Sequence, residues 1–143
     1  MDHVNPLLGP IIALVAWTIV MLFLAAFKMQ TGIRSGADLR GTPRGARGRD
    51  LEGRIDPKYL WARQNYEHLV EQPTLFYAIV IALVLMDQDH IVNVVLAWAY
   101  VGLRIAHSVV QALGKSRSIT FVTSSLLLIA LTLHAAMEYI AHL

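Results

Sequence analysis

Between Pro6 and Phe27 the chain runs for 22 residues without a charge, PLLGPIIALVAWTIVMLFLAAF. A helix needs about 20 apolar residues to cross roughly 30 Å of hydrocarbon, and this stretch is long enough. A buried helix of a soluble bundle would carry a polar stripe, and this one has none. Asp2 and His3 stand where a signal peptide places basic residues, and no small-residue cleavage site precedes Lys28. The segment therefore reads as a retained transmembrane helix. Only 15% of the chain is charged and its mean hydropathy is +0.52, so the rest must be read with a bilayer in mind.

Further spans follow from the same criterion. We expect a single all-α membrane domain over 1–143, with helices at about 6–27, 57–86, 91–113 and 119–141 and a basic loop over 28–56. Asp56 and Pro57 form a start signal for the second span, with the carboxylate as N-cap and Pro at the first helical position. Pro73 removes the hydrogen bond to the Leu69 carbonyl and is expected to bend that span. With no cysteine, the chain has neither disulfides nor thiolate chemistry of its own.

Nine of the twelve Lys and Arg fall between Lys28 and Arg63, and the third connector adds Lys115 and Arg117. The second connector has none. The positive-inside rule then puts the first and third connectors in the cytoplasm, with a bacterial inner membrane as the expected location. The Gly/Arg-rich loop lacks interleaved aromatics, so nucleic acid is not an expected partner.

Charged residues inside spans are costly and usually face the bundle interior. Asn65, His68 and Glu71 recur every three residues on the second span, with Gln72 beside them. Tyr100, Arg104, His107 and Gln111 follow a 4-3-4 spacing on the third span and share one face. Two facing stripes, one acidic and one basic, suggest a Glu71–Arg104 ion pair, a polar ligand pocket, or both. His134 and Glu138 read as a local i, i+4 pair. His68, His107 and His134 on three spans raise a weaker b-type haem reading. No metal-ligand spacing is present.

The segment Ala62–Tyr77, ARQNYEHLVEQPTLFY, resembles the second-helix signature of the MAPEG family, the membrane-associated proteins in eicosanoid and glutathione metabolism. Leu96–Ser108, LAWAYVGLRIAHS, is similar to its third helix. The likeness is closest to bacterial-type members. It implies a homotrimer of four-helix subunits that binds glutathione as co-substrate at subunit interfaces and takes lipophilic substrates from the membrane lipids. On this resemblance Arg63 contacts a glutathione carboxylate and Glu71 lies near its amino end. Arg104 is the third-helix arginine, and Arg34 is the basic residue after the first helix. Asn65, His68, Gln72, Tyr100 and Gln111 would complete the binding site. Departures are His68 where the family has Asn, Pro73 one residue early, and His107 and Gln111 at helix-three tyrosine positions.

The implied chemistry is thiolate activation. A guanidinium, from Arg104 or Arg117, lowers the glutathione thiol pKa, and His107 donates a hydrogen bond or moves a proton. The expected activity is a glutathione transferase or peroxidase on lipophilic electrophiles. The alternative is a non-catalytic lipid-binding or scaffold protein of the same fold.

Overall fold

The computed structural model describes residues 4–42, 45, 48–116 and 118–143. Its regular structure is helical: α1 (Leu8–Arg34), α2 (Trp61–Glu71), α3 (Pro73–Leu85), α4 (Ile91–Ala112) and α5 (Ser118–Ala141), with short 3-10 turns at Gly48–Leu51 and Pro57–Tyr59. Four segments are long and apolar enough to cross a membrane: Leu8–Arg34, Pro57–Leu85, Ile91–Ala112 and Ser118–Ala141. The α2–α3 span and α4 form the middle of the bundle, with α1 packed on one side and α5 on the other. Ile12, Ile19, Phe23 and Phe27 of α1 and Ile119, Leu126, Ile129 and Leu133 of α5 are exposed, as lipid-facing positions should be.

The second span is two helices. Pro73 cannot donate to the Leu69 carbonyl, and the hydrogen-bond ladder is interrupted at Gln72 between α2 and α3, although the Gln72 backbone keeps helical angles. Asp56 Oδ1 accepts a 3.0 Å hydrogen bond from the Lys58 amide, but the element it caps is the 3-10 turn Pro57–Tyr59, and α2 begins only at Trp61. That amide, followed by the Lys58 side chain, holds the exposed Asp56 carboxyl below its ordinary value of 3.8.

Past Phe27, α1 continues for two more turns. Freedom from charge marks where the hydrocarbon ends, not where the helix does. Met29 and Ile33, four residues apart, pack with Tyr59 against a small buried cluster of Leu51, Ile55 and Leu60. Gly32 makes this possible, since a Cβ there would stand 2.8 Å from that of Tyr59. The basic connector thus folds back on the helix that precedes it.

The main core runs through Leu14, Met21, Leu69, Phe76, Val80, Leu83, Tyr100 and Leu131. Phe76 stacks on Tyr100 with ring centroids 4.4 Å apart. On α4 the inward residues Asn93, Ala97, Tyr100, Arg104, His107 and Gln111 alternate spacings of four and three, a seam that stays on one side of a packed helix.

Candidate functional site

Polar side chains gather in the half of the bundle that carries the first and third connectors. Arg104 is 1% exposed. Its Nη2 donates to the His68 carbonyl at 2.8 Å and its Nη1 to Gln72 Oε1 at 2.9 Å. Nε has no hydrogen-bond partner. No carboxylate forms an ion pair with this guanidinium among the described residues. The expected Glu71–Arg104 pair is not formed. A three-residue step on a helix falls about 60° short of a full turn, so by Glu71 the Asn65–His68 stripe has rotated toward the outside. The Glu71 side chain is 63% exposed and lies 3.5 Å from His68 Nδ1. Gln72 stands seven residues after Asn65, back on the inner face, and takes the guanidinium instead.

From Gln72 the contacts continue outward. Because an arginine only donates, the amide oxygen faces Arg104 and Gln72 Nε2 is left to donate to Ser125 Oγ at 2.7 Å. Ser125 Oγ in turn donates to the Phe121 carbonyl at 2.8 Å.

Beside this chain, His107 is buried and both its ring nitrogens are engaged. Nε2 meets Gln111 Oε1 and Nδ1 meets Thr120 Oγ1, each at 3.1 Å. With the amide oxygen as acceptor, Nε2 carries the hydrogen and Nδ1 accepts from the threonine hydroxyl. The His107 ring lies 6.4 Å from that of His68, edge-on, and 6.2 Å from Phe121. His68 and Phe121, with Ser118 and Val122, line an open groove of about 290 Å³ between α2 and α5. His107 and Arg104 sit one layer behind its wall.

Arg63 belongs to a different surface. It is ion-paired with Glu67 one turn on, and both line a groove of about 220 Å³ against Leu22, Ala25, Ala26 and Met29 of α1. One chain therefore has two grooves on different faces of α2.

A family model describing MAPEG matches residues 7–137, nearly the whole chain. The chain belongs to the MAPEG family. No curated protein and no solved structure matches it. Family membership accounts for a membrane bundle of helices, and MAPEG members include glutathione transferases and peroxidases.

Within this MAPEG chain the sequence-derived residues are not all gathered at one place. Tyr100, Arg104, His107 and Gln111 are together and buried. Asn65 is fully buried and donates to Ser108 Oγ at 2.6 Å, where Trp17 Nε1 of α1 also donates at 3.0 Å, so it ties three spans rather than lining a groove. Arg34 is exposed in the last turn of α1 and lines neither groove. Arg117 lies outside the described residues. His134 does not pair with Glu138: its Nδ1 bonds Asn93 Oδ1 at 3.0 Å, which satisfies the buried amide of α4, while the half-buried Glu138 meets His142. His134 thus bonds α4 in the other half of the bundle from His68 and His107.

The hydroxyls of Ser108, Thr120 and Ser125 were missed by reading charges alone. Their signal was modest: small polar residues on the inward faces of apolar helices, where an unpartnered hydroxyl is costly.

Proposed function

We propose that this MAPEG chain is a glutathione-dependent transferase or peroxidase acting on lipophilic electrophiles. One observation carries the reading: a guanidinium buried inside a membrane bundle, met by two neutral oxygens and, among the described residues, by no carboxylate. An uncompensated cation in a low-dielectric interior favours an anionic guest nearby. Glutathione is inert as a thiol and reactive as a thiolate, and each unit by which its pKa falls corresponds to about 1.4 kcal/mol. With a chlorinated aromatic, the thiolate sulfur bonds to the ring carbon, chloride leaves, and the thiol proton passes to water at the groove mouth.

In this reading the thiol end of the peptide and the lipophilic substrate meet in the His68–Phe121 groove, with the Arg104 field behind it and His107 fixing the wall. Arg63, held by Glu67, supplies the complementary half. Two half-sites that face different ways in one chain are what a homotrimer would bring together, with Arg34 and Glu71 exposed for the charged ends of the tripeptide. The basic end faces the cytoplasm of a bacterial inner membrane under the positive-inside rule.

A titration of glutathione into the purified protein, followed by ultraviolet thiolate absorbance, tests this. We expect a thiolate band and turnover of a chlorinated aromatic or a lipid hydroperoxide, both lost in Arg104→Ala. A folded protein with neither band nor turnover refutes it. One feature favours the second reading, a non-catalytic lipid binder: Arg104 itself lines neither groove. In that case glutathione leaves the melting temperature unchanged.

A further inference from the structure

The groove between α2 and α5 has two walls, and a continuous run of hydrogen bonds joins them, buried at Arg104 and reaching the half-buried Ser125 on α5. It begins at the His68 carbonyl, passes through Arg104, Gln72 and Ser125, and ends at the Phe121 carbonyl, with distances of 2.8, 2.9, 2.7 and 2.8 Å. His68 and Phe121 are themselves groove residues, whereas Gln72 is not. Gln72 also stands at the junction of α2 and α3, where its own dihedral angles stay helical but Pro73 has removed a backbone hydrogen bond, so side-chain ties to α4 and α5 help to fix the span there.

We propose that Gln72 is a positioning residue that sets the separation of the groove walls at His68 and Phe121, and with it the girth of the lipophilic substrate admitted. Its amide is suited to the task because it accepts on one side and donates on the other, joining a pure donor in α4 to a hydroxyl in α5. Leucine has neither group, and loss of the α5 hydroxyl breaks the tie at its other end. The substrate clause rests on the catalytic reading above; the wall separation does not.

The chain has no cysteine, so two labels can be placed without background. Nitroxides at Gln64→Cys in α2 and Val122→Cys in α5 report the wall separation by electron paramagnetic resonance, with singly labelled protein as the control. Gln72→Leu and Ser125→Ala should each shift the separation, the double variant should shift it no further than the larger single change, and Ser125→Thr should restore the wild-type value. In parallel, the kcat/KM ratio for a bulky over a slim chlorinated aromatic should change about 10-fold in Ser125→Ala and return in Ser125→Thr. Unchanged separation in Ser125→Ala overturns the proposal, even if Gln72→Leu fails to fold. A shifted separation with an unchanged substrate ratio overturns its specificity part. If the wild type shows no glutathione-dependent turnover, the catalytic reading fails, and the label distances alone decide the tie.

Discussion

The two halves of the bundle solve the same packing problem in different ways. Toward the second connector, Val80, Leu83, Ala97, Leu131 and Ala135 pack as a nearly dry core, relieved by Asn93 and His134. Toward the basic connectors, the same helices bury Asn65, Arg104, His107, Ser108 and Gln111. Within a bilayer the tails are as apolar as leucine, so helices associate through close packing and interhelical hydrogen bonds. The drier half packs with one interhelical polar contact, Asn93 to His134. A charged residue deep in a span costs about 2.5–3.5 kcal/mol on insertion scales. The polar half therefore carries the larger desolvation expense, and that difference is what the proposed site rests on.

The contrast can be broken by substitution in each half. Phe76→Ala removes the ring stacked on Tyr100 and should lower the unfolding free energy by about 3–4 kcal/mol in a detergent denaturation series, with kcat/KM for glutathione conjugation little changed. Arg104→Ala should do the reverse: about 100-fold lower turnover in steady-state assays, with the larger part of stability kept. If Arg104→Ala instead unfolds the bundle and spares activity, the two halves do not differ in purpose. Ser108→Ala leaves Asn65 and Trp17 without their shared acceptor and should cost about 1 kcal/mol by the same denaturation.

The smallest effect is expected outside the membrane. The Asp56 carboxyl is held below its ordinary value, so its capping contribution is present above the unfolded value and is lost as pH falls through the folded one. The protection of the Lys58 amide relative to its intrinsic exchange rate should fall below about pH 3.8, and Asp56→Ala should lack that protection at every pH.

Spans and candidate inward faces were legible in the sequence because they depend on composition and period. The uncharged run of α1, the 4-3-4 seam of α4 and the Pro73 interruption can each be read one helix at a time. What one helix cannot show is which of two adjacent residues meets a neighbour. Glu71 is the intuitive partner for Arg104, yet the phase of α2 presents Gln72. Arg63 and Arg104 both read as ligands for one peptide, yet Arg63 lines a groove against α1 while Arg104 is sealed behind His68. The reach of α1 to Arg34 depended on a connector returning to cover Met29 and Ile33, which no window centred on that helix contains.

The sequence by itself determined that this chain crosses a membrane as a helical bundle and that cationic side chains concentrate toward one end, since hydropathy and charge are properties of residues. Only the tertiary structure decided which of those side chains are partnered, sealed or open to a groove. Partnership is set by the rotation and offset of one helix against another, and a shift of one residue, about 100° around the helix, exchanges the inside for the outside.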